Sequence, residues 1–293
     1  MRKMLLAAVA AVMIGSLVAI LAGPRGTASS ATPKASKSLV IGDIGWDEDV
    51  AINNVVKILL HDKYGYNVTL KLADVGPLYQ GVATGSLDAF LDGWLPTTHK
   101  IYWARFHSKI ILLNKWYKGL ANLGLAVPNY VTATSIADLN KFSSKFGGKI
   151  IGIEAGAGEM NIVKTKVIPG YGLHLTLLAS STPAMLAALQ RALGQHQWIV
   201  VTLWQPHWAF TKYPIHYLKD PKGEMAGVDH PSIIVRQGLQ KDAPQAYKLL
   251  KNISLTPLQL GKLELSINQL KDPAKGAQAW IKKNQSVVNS WLK

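Results

Sequence analysis

The residues of this chain best suited to chemistry are aromatic rings set beside histidine and glycine. In Asp88–His99, DAFLDGWLPTTH, an apolar run ends at Trp94, Pro96 stops it, and two threonines lead to His99. This pattern predicts a strand that delivers a large ring and an imidazole to one sheet edge. Trp46 stands just after the apolar stretch 39–41 in GDIGWDED, and Trp204 just after 199–201 in WIVVTLWQPHW. Three strand ends, each followed by a tryptophan, predict one shared pocket.

Such a pocket suits a particular kind of cation. A trimethylammonium group donates no conventional hydrogen bond, but ring faces attract its spread positive charge, and tryptophan does so best. A ligand that also carries a carboxylate needs donors. His99 and the backbone N–H groups of Gly158 and Glu159, in the turn GIEAGAGEMN, would supply them, because exposed amides opening a helix favour an anion.

Blander roles compete with each of these. A single tryptophan at a strand end is more often a packing residue. Trp103, Trp116, Trp198, Trp208, Trp280 and Trp291 are assigned to packing or surface roles, with Trp208 set apart by its position beside His207. His207 would support the aromatic pocket from behind, although a structural hydrogen bond is the commoner use of such a histidine. Asp47, Glu48 and Asp49 could ligate a metal, but N-capping and favourable charge at a helix start are the expected use. EAGAGEM lacks the Lys-Ser/Thr of a phosphate-binding loop. His99, His207, Asp43 and Asp92 could serve an enzyme, yet no HExxH, GxSxG or paired-carboxylate pattern supports a reaction. No metal and no cofactor is implied.

The elements that must position these groups alternate. Strands are expected over 39–44, 67–72, 88–94, 122–127, 149–153, 174–178, 198–203 and 233–235. Helices are expected over 49–64, 76–85, 98–106, 135–142, 182–193, 243–252, 257–270 and 273–284, with a short terminal turn holding Trp291. Open α/β sheets bind ligands at strand C-terminal ends, where each half of this chain puts its tryptophans.

At 293 residues the chain exceeds what one core usually carries, so two α/β lobes around a cleft are expected. Arg2 and Lys3 precede an apolar stretch from Met4 to Ala22, followed by small residues through Ala31. This reads as a secretory signal cut after Ala31, the alternative being an uncleaved membrane anchor. The absence of cysteine excludes disulfides, thiolate sites and a lipid-modified cysteine. Three basic residues of the +15 net charge fall in 1–31, leaving +12. The remainder are scattered, so nucleic acid is not the expected partner, and solubility or an acidic compartment is the simpler account.

GDIGWDED, ADVGPLYQGVATGSLDAFLDGWLPTTHK, GIEAGAGEM, WIVVTLWQPHW and LKDPKGE resemble the glycine betaine/proline betaine substrate-binding proteins of ABC importers, choline-binding relatives included. The likeness runs from about Ser38 to the C-terminus in the same motif order. It implies a two-lobed periplasmic-binding-protein fold (type II) closing on ligand by a hinge. It also implies a cage of Trp46, Trp94 and Trp204, with His99 and the amides of Gly158 and Glu159 on the carboxylate. Two departures bear on the pocket. Leu203 stands where many members have glycine and is expected to crowd the third ring. Glu48 lies close to an acidic residue that assists the cation in choline-binding relatives, whereas His99 belongs to the betaine pattern.

The expected organisation is therefore a signal peptide over 1–31, a flexible leader over 32–37, lobe I over 38–126 with the return of 233–293, and lobe II over 127–232. The 233–293 segment is expected to be helical and to pack on lobe I. The expected product is an exported, monomeric, non-enzymatic binding protein. It would capture glycine betaine or a similar quaternary ammonium osmolyte and deliver it to a separate ABC permease. A choline or carnitine binder of the same fold is the first alternative. A membrane-anchored osmolyte receptor domain, or an enzyme, stands further off.

Overall fold

The computed structural model describes residues 37–293 apart from Ala226. The expected signal segment and all of the leader but Lys37 lie outside the described residues. Lys37 is already part of the fold: its carbonyl accepts Asn67 N–H at 2.7 Å and its Nζ donates to Gln245 at 2.8 Å.

Two five-stranded mixed sheets organise the chain. The strands are β1 (Ser38–Asp43), β2 (Asn67–Leu72), β3 (Ala89–Leu95), β4 (Ile110–Lys115), β5 (Asn122–Pro128), β6 (Lys149–Ile151), β7 (Thr176–Leu178), β8 (Val201–Gln205), β9 (Ile215–Tyr217) and β10 (His230–Arg236). The first sheet runs β2-β1-β3-β10-β4, with β1 parallel to β2 and β3 while β10 is antiparallel to β3 and β4. The second runs β7-β6-β8-β5-β9, with β5 antiparallel to β8 and β9. β3 is buried along its whole length, so apolar residues occupy both its faces and its one acid, Asp92, is buried with them.

Sheet membership moves two expected boundaries. β5 is hydrogen-bonded on both sides within the second sheet, so the chain crosses ahead of it and not at 126/127. β10 begins at His230 in the first sheet, so the return precedes 233. The crossings meet in one isolated bridge, where Ala121 N–H donates to Asp229 at 3.2 Å and Asp229 N–H donates back at 2.8 Å.

Helix α1 (Asp47–Tyr64) buries Ile52, Val55, Val56, Leu59 and Leu60, each burial stabilising by about 1.5–3 kcal/mol. It stops at Gly65, whose φ of 69° is left-handed and whose N–H caps the last turn. Helices α2 (Val75–Thr84), α3 (Lys100–Phe106) and α4 (Gly158–Ile162) follow β2, β3 and β6 respectively. Ser181 caps the helix Thr182–Gly194 through Ala184 N–H. The C-terminal helices Pro257–Leu270 and Pro273–Lys283 pack against each other and against α1, on the first-sheet side.

Three local expectations are corrected. The helix expected over 135–142 is only a turn of 3₁₀ helix, Ile136–Asp138, opened by a capping box in which the Asp138 carboxylate accepts Thr134 and Ser135 N–H. β4, for which the alternation made no provision, is an edge strand paired with β10. The first turn of α1 has no side-chain N-cap: Trp46 occupies that position, and Asp49 instead accepts Ile44 N–H at 2.7 Å. Among the described residues no helix is long and apolar enough to cross a membrane.

Candidate functional site

Trp46, Trp94 and Trp204 line one small cavity together with Thr98, Leu123, Ile153 and Glu159. All three tryptophans are buried, and the rings of Trp46 and Trp204 lie 5.6 Å apart. Their placement differs from three rings following three strands. Trp94 and Trp204 are the penultimate residues of β3 and β8, and each is followed at two residues by a cis proline, Pro96 and Pro206. Trp46 lies in the loop between β1 and α1.

Each of these indoles donates its N–H to a carboxylate. Trp94 Nε1 donates to Asp92 Oδ2 at 3.1 Å, Trp204 Nε1 to Glu48 Oε2 at 2.9 Å, and Trp46 Nε1 to Glu154 Oε2 at 3.2 Å. Glu48 and Asp92 are fully buried. Burial, reinforced by Asp92 and Glu264 nearby, raises the Glu48 carboxyl well above its ordinary range. Burial also pushes Asp92 up to about 7, against hydrogen bonds from Trp94 and Glu48 that pull it down. Burial thus disfavours the charged form of both Glu48 and Asp92.

His99 is fully buried and does not line this cavity; its ring sits beside Trp46, centroids 6.0 Å apart. Its Nδ1 accepts Trp94 N–H at 3.0 Å, which assigns the ring proton to Nε2. That Nε2–H has no protein partner. Burial lowers the imidazole to about 3, so His99 is a neutral donor at ordinary pH. An unpaired buried donor costs about 1–3 kcal/mol, and a ligand oxygen would relieve it.

The turn that delivers His99 is held by Asp229. Its carboxylate accepts Thr97 N–H at 2.6 Å, Thr97 Oγ1 at 2.7 Å, Thr98 N–H at 3.0 Å and the Thr98 hydroxyl. Asp229 sits in the crossing bridge, so the crossing and the WLPTTH turn share one anchor.

Gly158 opens α4 directly against this turn. A Cβ there would lie 2.3 Å from Thr98 O, so only glycine permits the approach. The Glu159 side chain turns inward, its Oε1 accepting Leu203 N–H at 3.1 Å, and burial raises it well above the carboxylate range. Its backbone N–H, in the first turn of α4, belongs to the set without intrahelical partners.

A scan against protein families matches residues 37–283 to the substrate-binding domain of the ABC-type glycine betaine transport system, OpuAC. The chain belongs to this family. Among curated proteins it is 40% identical over 145 residues to the glycine betaine/carnitine transport binding protein GbuC of Listeria monocytogenes, a match spanning 48% of each chain. It therefore matches about half of that relative's length. Among solved structures it is similar to lactococcal OpuAC, closed with glycine betaine, at 37% identity and TM-score 0.81, over 88% of this chain and 100% of that one. It is also similar to ProX of Borrelia burgdorferi at 33% identity and TM-score 0.83, over 88% and 97%. A choline-binding protein in complex with choline aligns at 25% identity and TM-score 0.78, over 89% and 93%. These relatives are two-lobed binding proteins of ABC transporters, which sets the enzyme alternative aside.

Within this betaine-transport family the departures take on physical form. Leu203 does not line the cavity: strand alternation turns it away from Trp204, and Leu123 fills the wall instead. Glu48 is also absent from the lining, its carboxylate committed to Trp204. His207 stands edge-on to Trp204 at 4.8 Å, with Nε2 3.0 Å from Asp47 Oδ2 and Nδ1 accepting Ala209 N–H. Trp208 borders a separate groove. Among the described residues no cluster of three or more His, Asp or Glu could hold a metal. Sequence reasoning did not find Asp229, Glu154, Thr98, Leu123 or Ile153. For the two acids no local signal exists, because each acts on residues far away in the chain.

Proposed function

We propose that this chain is an extracytoplasmic binding protein that captures glycine betaine, or a close quaternary ammonium zwitterion, and delivers it to an ABC permease. The observation that carries the reading is the convergence of three buried indoles on one cavity. Ring faces there suit a trimethylammonium group, and a polar cation would be left without acceptors on the open side. The neutral, unpaired Nε2–H of His99 and the first-turn amides at Gly158 and Glu159 supply donors for a carboxylate.

The first sheet carries Trp94 in β3, with His99 in the turn after β3 and Trp46 in the β1–α1 loop; the second carries Trp204 in β8, with the glycine-rich turn following β6. Neither half completes the site, so ligand would stabilise the closed arrangement through its differential contacts with the two halves. The relatives' recorded ligands, glycine betaine and choline, are consistent with this class. The proposed division is a signal peptide over 1–31 and a monomeric two-lobed body hinged at Ala121 and Asp229.

Calorimetric titration of residues 32–293 with glycine betaine, and separately with choline, tests the reading. Betaine binding with choline much weaker is expected. Choline binding more tightly would reassign the ligand and His99, and heat from neither would overturn the proposal.

A further inference from the structure

The two hydrogen bonds that join the box across the molecule form a reciprocal pair. Trp46 and Glu48 lie two residues apart at the start of α1, on the first-sheet side. Trp204 lies in β8 and Glu154 just beyond β6, both in the second sheet's half. The Trp46 indole donates to Glu154, and the Trp204 indole donates to Glu48. Each half thus gives one ring and receives the other half's ring on an acid.

Resting on the function proposed above, we infer that Glu48 and Glu154 are positioning residues that assemble the aromatic box only when the two halves meet. Each acid is itself held. Glu154 accepts Thr182 N–H at 2.7 Å and Thr182 Oγ1 at 2.9 Å, at the start of the helix Thr182–Gly194. Glu48 is fully buried in the first turn of α1. An indole has two torsions to fix, and an acceptor at its N–H fixes the ring plane while leaving the faces free for a cation. Because each bond spans the halves, it exists only where they are together, so breaking it weakens the closed form and leaves encounter untouched. Two further polar contacts of this seam, Tyr102 Oη to Gly156 O at 2.7 Å and His207 to Asp47, involve no wall of the cavity.

The test compares Glu48→Leu, Glu48→Gln, Glu154→Leu and Glu154→Gln with the wild type, by titration with glycine betaine and stopped-flow tryptophan fluorescence. Leucine removes the acceptor at similar volume; glutamine keeps an oxygen for the indole. Each leucine variant is expected to weaken binding at least about fivefold through faster dissociation, with association within about twofold of wild type. Each glutamine variant should recover most of that loss. Leucine variants that bind like wild type would overturn the inference, as would glutamine variants as weak as leucine. If Glu48→Leu fails to fold, the half-buried Glu154 pair decides alone. A wild type that binds no quaternary ammonium compound would instead overturn the proposed function, an outcome distinct from the others.

Discussion

The two ends of the site solve opposite electrostatic problems by different means. Around the aromatic end every indole is backed by a carboxylate, yet none of the three acids that hold the indoles lines the cavity. At the donor end the groups are neutral: an imidazole held without charge by burial, and backbone amides. On the proposed function a zwitterion would be held at both ends without a contact ion pair, which avoids burying a permanent countercharge in the wall. Charge at one end is indirect, and at the other it is replaced by oriented dipoles.

The comparison breaks most visibly at the aromatic end. Trp94→Ala removes a desolvated cation–π contact worth on the order of 2 kcal/mol, so betaine affinity should fall at least about tenfold in calorimetry. Unchanged affinity would remove Trp94 from the box. At the donor end, His99→Ala deletes one hydrogen bond to a charged group, worth about 1.5–3 kcal/mol. Betaine should lose more than choline, and equal losses would end the carboxylate assignment. Because burial lowers the His99 imidazole to about 3, wild-type betaine affinity should carry no His99 step between pH 5 and 8.

Where the ends meet, Gly158→Ala places a methyl against Thr98 O and should cost about 1–3 kcal/mol in the closed arrangement. Scattering with saturating betaine would then report a less compact protein than wild type; equal compaction would show that the contact tolerates a methyl.

The smallest effect concerns pH and stability. Burial raises Asp92 from 3.8 to about 7, and burial together with Asp47 raises Glu264 from 4.5 to about 8. Both bind protons more tightly when folded, so their contribution is complete below the unfolded values and is lost as pH rises through 7 and 8. His99 has the opposite sign: lowered from 6.5 to about 3, it withdraws stability as pH falls below 6.5. Between pH 6.5 and 8.5 only the acids of this set change, and the melting temperature should fall across that interval. Glu264→Gln should flatten the fall, and an unchanged slope would show that Glu264 does not contribute to it.

Much of the architecture was legible because its signals are local. The stop of α1 at Gly65, the Ser181 cap and the proline-led C-terminal helices are each written within a few residues. Boundaries failed where partners were distant. Residues 122–128 read as a strand at a crossover, but nothing in them shows that β8 and β9 flank them. The acidic run Asp47–Asp49 reads as a helix start, and only the fold sends the three carboxylates to His207, Trp204 and Ile44.

The sequence by itself determined the α/β alternation, the order of the motifs, the family, and the residue types that could hold a quaternary ammonium zwitterion. These follow from periodicity, turn chemistry and the scarcity of reasons to end strands in tryptophan. Tertiary structure alone decided which acid meets which indole, that His99 is a neutral Nε2–H donor, and that Asp229 anchors the turn before it. Those facts depend on burial and on hydrogen bonds between residues as much as 156 positions apart, and a buried polar group takes its partner from space rather than from its neighbours in the chain.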